Sequence, residues 1–497
     1  MVKPPLCVLR FALLSVFSLL FSYGGFIMIC SAENNGVSSK GGSASKKESG
    51  NIRILEIAVL DTREEVKGSD ENTREEEPNA SSLKTQSDLW KEIGEGFSYT
   101  FRTLGYGTFN SPSDSTQNPN NDFLNIPRYT LNLDFRPDIS FNFRPLTLVV
   151  KPRLDLTWKR WEKGAKEGDT DTDNDWYVNE WLAGLNLYSG LFVYYGRENL
   201  QWGPSHFVSP SNPFFPYNNQ ANPKIELPGM DFARVVWVAN SSWTASLIAN
   251  LGAGRMMFPY GFERTYAAKL DYTGNQKYGS LIGSYQENNR GQLGAYGGWW
   301  VSDALLLYTE GSISKGSNAL YPQKDPNAPF GIQMIPTKDD SSTPEGLLTV
   351  GGSYTLEGGA TFSLEYFFNS AGYNDNEAAL YDDLREDAAS AFYAPEPWHR
   401  LSKATLIQTL EPRLRFLRRN YLTLQYVQVE IHDVLNLTLR YTYNVDDSSS
   451  MLVPIVEYDI GDYFQVFVVG DQRFGSKDSE FRSLIDYSYM VGVEFTF

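Results

Sequence analysis

From Phe97 onward the chain alternates apolar and polar residues with a period of two, over segments of 9 to 12 residues. Tyr129, Leu131, Leu133, Phe135, Ile139, Phe141 and Phe143 share one face of one segment. Thr130, Asn132, Asp134, Arg136, Asp138, Ser140 and Asn142 share the other. The next segment sets Leu146, Leu148, Val150, Leu154, Leu156 and Trp158 against Thr147, Lys151, Arg153, Asp155 and Thr157. Near the end, Leu435, Leu437, Leu439, Tyr441 and Tyr443 oppose Asn436, Thr438, Arg440, Thr442 and Asn444. Successive strand residues point to opposite faces, so each segment is apolar on one side and charged on the other.

A soluble β-sandwich also alternates, but its loops are short at both ends. Here short turns near 145, 189, 241, 302, 358, 432 and 461 alternate with polar inserts at 162–175, 198–228, 313–346 and 371–419. That asymmetry predicts an all-β fold: a transmembrane antiparallel up-and-down β-barrel with short periplasmic turns and long external loops. The count is about 18 strands, with 16 the alternative, both even as a single-chain barrel requires. Parity also predicts that 371–419 is one external loop with helical pieces (NEAALYDDLREDAASAF), and that 401–418 is not a strand.

The N-terminus reads as a secretory signal over 1–32: Lys3 and Arg10, then largely apolar Phe11 to Ile29, then Cys30-Ser31-Ala32 before Glu33. A lipid anchor at Cys30 and an uncleaved membrane anchor are the competing readings. Both cysteines, Cys7 and Cys30, lie in this segment, so a chain cut after Ala32 has no disulfide or thiol chemistry. Residues 33–95 are polar, rich in Ser, Lys and Glu, and read as a partly disordered periplasmic segment; 96–497 is the barrel. Within 33–95 the apolar patch Ile52 to Leu60 is expected to dock inside the barrel or on another protein. Losing Lys3 and Arg10 takes the formal charge from −17 to −19, which argues against nucleic acid as a partner.

No nucleophile elbow, P-loop, zinc spacing or haem-attachment motif is present, so no enzyme, cofactor or metal is expected. The histidines are His206, His399 and His432; a triad would need His206 with Ser205 or Ser209 and a carboxylate such as Asp231. The remaining chemistry is steric and electrostatic. Arg136, Lys151, Arg153, Asp155, Glu365 and Arg440 sit at inward positions, where rings of charge select solutes. The third external insert carries six prolines (Pro204, Pro210, Pro213, Pro216, Pro223, Pro228), which bar it from the ladder and stiffen it. Trp202, Phe207, Phe214, Phe215 and Tyr217 in it call for burial; Asn212, Asn218, Asn219 and Gln220 supply neutral hydrogen bonds. Folded inward, it would narrow the channel, with Arg197, Trp202, Phe214, Tyr217 and Asn218 as constriction candidates. The basic run PRLRFLRRN, with Arg413, Arg415, Arg418 and Arg419, is the candidate contact for lipopolysaccharide phosphates.

Tyr487, Tyr489, Val491, Val493, Phe495 and Phe497 share one face of the last segment. This resembles the C-terminal signal of bacterial outer-membrane proteins, which implies the barrel-insertion machinery as a partner, a cell outer-membrane location and periplasmic termini. GRENLQWGPS resembles the GR-x4-WG signature in the third-loop region of the capsule-assembly Wzi family, large barrels that hold surface polysaccharide. GGSYTLEGGATFSLEYFF and NVDDSSSMLVPIVEYDIGDYF resemble stretches of long porin-like barrels. The leading expectation is a porin-like channel for small hydrophilic solutes. The alternatives are a barrel that anchors or assembles surface polysaccharide and a sleeve for an electron-transfer cytochrome pair. Oligomeric state is left open.

Overall fold

The computed structural model describes residues 94–206, 208–215, 222–258, 261–287, 290–315, 319–336 and 344–497. The expected signal peptide and all but the last two residues of the polar segment 33–95 lie outside the described residues. The first strands are β1 (Phe97–Pro112), β2 (Tyr129–Phe143), β3 (Leu146–Arg160), β4 (Thr170–Tyr188), β5 (Leu191–Glu198) and β6 (Met230–Val238). There follow β7 (Trp243–Gly252), β8 (Thr265–Thr273), β9 (Lys277–Gln286), β10 (Arg290–Trp300) and β11 (Leu305–Lys315). A small hairpin, β12 (Tyr321–Lys324) and β13 (Ile332–Ile335), precedes β14 (Pro344–Thr355) and β15 (Thr361–Asn369). Helices α1 (Asp375–Ala391) and α2 (Trp398–Leu410) come next. The chain ends with β16 (Asn420–Ile431), β17 (Leu435–Asn444), β18 (Ser450–Ile460), β19 (Phe464–Phe474) and β20 (Ile485–Thr496).

All but β12 and β13 form one 18-stranded sheet in which sequence neighbours pair. β1 pairs with β20 from Arg102↔Thr496 to Pro112↔Ile485, which closes the ring and leaves no edge. The 18-stranded expectation therefore holds. So does the parity argument: 371–419 carries α1 and α2 and contributes no strand. Two details differ. The insert read as 162–175 is shorter, because Thr170–Asp175 extends β4 against Asp155–Arg160 of β3. Its alternating Asp, Thr and Asn pass for a loop by composition yet still pair by period. The β8–β9 connection, Gly274–Gln276, is a short turn the sequence did not single out.

The alternation decides what faces where. On β11, Leu307 and Ile313 are exposed, while Tyr308, Glu310, Ser312 and Ser314 are buried. Leu247, Leu281, Leu293, Leu364 and Val491 repeat the exposed apolar face on other strands. Exposed Tyr188, Trp237, Trp243, Trp299, Tyr458 and Tyr463 lie at the short-turn ends, and Trp176, Tyr266, Tyr285 and Tyr366 nearer the long-loop ends. An apolar exterior edged by aromatic residues at both rims is the wall of a membrane-spanning barrel, in which every backbone group is satisfied by a neighbouring strand. The start of β1 and the C-terminal residue meet at the short-turn rim, where the Phe101 and Phe497 backbones exchange hydrogen bonds of 2.9 Å.

The long-loop side builds a layer of its own. α1 begins with a capping box, in which Asn374 accepts from Glu377 N–H and Glu377 accepts from Asn374 N–H. Ala388, Phe392 and Leu406 form a small core between α1 and α2, covered by Phe123 and Phe330.

Candidate functional site

The connection from β5 to β6, residues 199–229, is the third on the long-loop side. Its roots are clamped across the two strands. Arg197 Nε donates to Asp231 at 2.8 Å, and Arg234 Nη2 to Glu198 at 2.5 Å. Beyond them the chain turns its aromatic residues onto the inward face of β6 to β9. Phe214 and Phe215 pack with Met230, Phe232, Ile248, Ala267 and Ile282, and Trp202 and Leu200 lie against this cluster. Trp202 meets Phe214 edge-on at 5.8 Å, so it belongs to this interior core and not to a rim. Phe214 is buried against the barrel's own inner wall, and Trp202 is half-buried beside it.

The limb 203–211 crosses to β11 and β15. Glu310 of β11 has no exposed surface, although an inward carboxylate in a hollow barrel would be wet. Its oxygens accept from Ser209 Oγ at 2.6 Å, Ser211 Oγ at 2.7 Å and Ser211 N at 3.1 Å. Gly203 sits against the same carboxylate with φ +95°, and a Cβ there would lie 2.2 Å from Glu310 Oε2. Two strands over, on β15, Glu365 accepts from His206 N and Tyr308 Oη, both at 2.8 Å, and from Ser205 Oγ at 3.3 Å. Expected as a residue of the solute path, Glu365 instead holds loop groups and is buried.

The limb 222–228 meets the other arc of the wall. Lys224 Nζ pairs with Glu457 of β18 at 2.8 Å and Glu494 of β20 at 2.9 Å. Arg136 of β2 donates to the Lys224 carbonyl at 2.9 Å and to Asp134 at 2.7 Å. Glu226 accepts from Arg153 Nε at 2.6 Å and from Arg102 Nη2 at 3.2 Å; Arg153 also reaches Asp138 at 2.8 Å. Arg153 is 1% exposed, a buried cation whose charge is matched on two sides. Between these limbs Tyr217 and Asn218 lie outside the described residues, as do Phe207, Asn219 and Gln220.

Inward charges beside the loop are largely paired. Lys151 meets Glu180 at 3.0 Å, and Asp155 accepts from Tyr177 Oη at 2.7 Å. Arg440 donates to Gln425 at 2.8 and 2.6 Å. Many of these groups are part-exposed: Arg102, Asp138, Lys151, Glu180, Arg197 and Asp231 keep 23–31% of their side-chain surface, which puts water along β1 to β6. Sequence reasoning passed over Glu310, Lys224 and Glu226. Glu310 had one signal, an acid at an inward position of LLLYTEGSISK.

Asp231 is taken by Arg197; Ser205 and Ser209 donate to Glu365 and Glu310; His399 packs on Phe392 in the helical layer; and His432 is in a short turn. The basic run turns partly inward. Arg415 donates to the carbonyls of Ser209 and Asn212, Arg418 pairs with Asp375 at 2.6 Å, and Arg419 donates to Gly372 O at 2.8 Å. Arg413 is exposed.

No family model matches the sequence, and neither does any curated protein sequence. Among solved structures the chain is similar to the outer membrane protein OprD from Pseudomonas aeruginosa, at 10% identity and a TM-score of 0.44 over 81% of this chain and 94% of that one. It is similar to OccK11 (OpdR) from Pseudomonas aeruginosa at 12% identity and a TM-score of 0.47, over 81% of this chain and 97% of that one. OccAB1 from Acinetobacter baumannii gives 12% identity and 0.46, over 81% and 96%.

Proposed function

We propose that this chain is an outer-membrane channel of porin type for small hydrophilic solutes, narrowed by the loop 199–229. One observation carries the reading: a loop from one side of a lipid-facing barrel is bonded to inward side chains on two arcs of its wall, at Glu310 and Glu365 and at Arg153, Glu457 and Glu494. A loop held so reduces the free cross-section while leaving the part-exposed charged strip along β1 to β6 to water and solute. Arg197 sets the loop's root, and Lys151, Arg153 and Asp155 line or border that strip. Rings of mixed charge of this kind sort solutes by charge and size.

In the same reading the short turns and both chain ends face the periplasm, and Phe497 ends the strand that the insertion machinery reads. The lipopolysaccharide contact expected of Arg413, Arg415, Arg418 and Arg419 is kept as part of the proposal, with Arg413 its exposed member.

Conductance in planar bilayers tests it. Wild-type protein should give discrete, low-conductance steps. Trp202→Ala removes a half-buried aromatic packed on the inner core, a smaller change than the about 3–5 kcal/mol of a fully buried site. It should raise the step size or make it flicker. Silence from wild type under every applied voltage would sink the channel reading; identical steps from Trp202→Ala would sink the loop's part in it.

A further inference from the structure

Segment 370–419 leaves the barrel at β15 and re-enters at β16, yet it touches loops rooted all round the rim. α2 accepts from the β1–β2 connection, Gln117 Nε2 to Leu406 O at 3.0 Å, and Tyr393 Oη bonds Asp122 there at 2.5 Å. The β19–β20 connection accepts from Arg385 through Asp478 O at 2.7 Å and from Leu417 N through Glu480 at 2.7 Å. Leu320 N, next to the small hairpin, donates to Pro412 O at 2.8 Å. Arg415 Nη1 donates to Ser209 O at 2.6 Å and Nη2 to Asn212 O at 3.2 Å, in the β5–β6 loop. A segment rooted at one point and bonded to loops from four other sectors spans the mouth.

Arg415 has a particular position within that layer. The residues whose carbonyls it holds, Ser209 and Asn212, flank the turn that Glu310 grips from the wall through Ser209 Oγ and Ser211 Oγ. The turn is thus bonded from the wall side by an acid and from the mouth side by a base. Next to Arg415, Phe416 stacks on Tyr421 at 4.3 Å and packs with Val208 of the same inner loop. Displacing the outer segment therefore withdraws both a charge-assisted clamp and an apolar contact from the loop.

We propose that segment 370–419 is a gate over the long-loop mouth, and that Arg415 couples its position to the inner loop. The two layers are linked: closed, the lid covers the mouth and holds the inner loop in its narrowing position; opened, the lid frees the turn at 209–212.

Hydrogen exchange followed by mass spectrometry reads the coupling without any assumption about transport. Arg415→Ala in the full chain should speed amide exchange about tenfold in 209–215 and in 411–419 together, the scale of losing charge-assisted hydrogen bonds. Exchange in β2 and β3 should not change, and Arg415→Lys should fall between. Faster exchange in one segment alone, or in neither, overturns the coupling. The gate itself rests on the channel reading and is tested by flux. Asp122→Cys with Tyr393→Cys, in a chain whose Cys7 and Cys30 are replaced by Ser, is bridged with a cleavable bis-maleimide. Solute flux into liposomes should fall severalfold on bridging and recover on cleavage. Flux that ignores the bridge overturns the gate. A chain that passes nothing before bridging instead defeats the channel reading, and the exchange result still decides the coupling.

Discussion

A carboxylate stripped of water is costly unless donors saturate its oxygens. Glu310 meets that condition with groups drawn from a loop about 100 positions away in sequence, Ser209 and Ser211. Glu310→Ala would leave Ser211 N and Ser211 Oγ without an acceptor, each costing about 1–3 kcal/mol, and would leave Ser209 Oγ only the Trp202 carbonyl. We predict a barrel that still folds but a turn that detaches, seen as protease cleavage within 203–215 that wild type resists. Cleavage no faster than wild type would mean that the wall contact does not hold the loop. Gly203→Ala makes a smaller test of the same contact. Its φ of +95° and the 2.2 Å approach to Glu310 leave no room for a methyl group. The backbone strain alone is about 1–2 kcal/mol, so the same cleavage should appear, more slowly. Both effects depend on a close approach that no single segment of sequence displays.

Among the elements, the β19–β20 connection shows how the outer layer responds to pH. Glu480 accepts from Tyr421 Oη and Asn444 Nδ2, and from Leu417 N–H. Burial is the largest influence on it and outweighs those donors, pushing its carboxyl up to about 7. Its value in the folded chain thus lies above the ordinary carboxylate range of about 4.3. The protonated form is the one favoured by folding, so the contribution is fully present below about pH 4 and is lost as pH rises through about 7. Proteolysis or exchange in 411–421 and 475–484 should accordingly increase between about pH 5 and pH 8. Glu480→Gln, neutral throughout, should flatten that dependence. A wild-type profile that is level or slopes the other way would contradict this account. The same element level was partly legible in the sequence: parity made 371–419 one loop, and NEAALYDDLREDAASAF read as helical within it. The partners of those helices were not legible, since Gln117, Asp122 and Asp478 belong to loops far off in the chain.

At the scale of the whole molecule, stability rests on closure. β1 and β20 pair along their length, and Phe497 itself bonds Phe101. Removing 485–497 would expose two strand edges inside lipid, where each unpaired backbone group costs several kcal/mol. On electrophoresis wild type is expected to run as a compact, heat-modifiable band, which the truncated chain should lack; a retained compact band would show that closure is dispensable.

Strand identity, the facing of Arg153 or Arg440 and the two-sided wall were all readable from period two, because a strand side chain's direction is set by its immediate neighbours. Proline content alone removed 199–229 from the ladder. Where that loop rests was not readable. Its place depends on Lys224 meeting Glu494, 270 positions away, and on His206 meeting Glu365, 159 away. Likewise Glu365 and the Arg413 to Arg419 run showed their charge in sequence but not their partners. Local chemistry determined the barrel; the balance of buried charge inside it was decided only when distant strands closed round the loop.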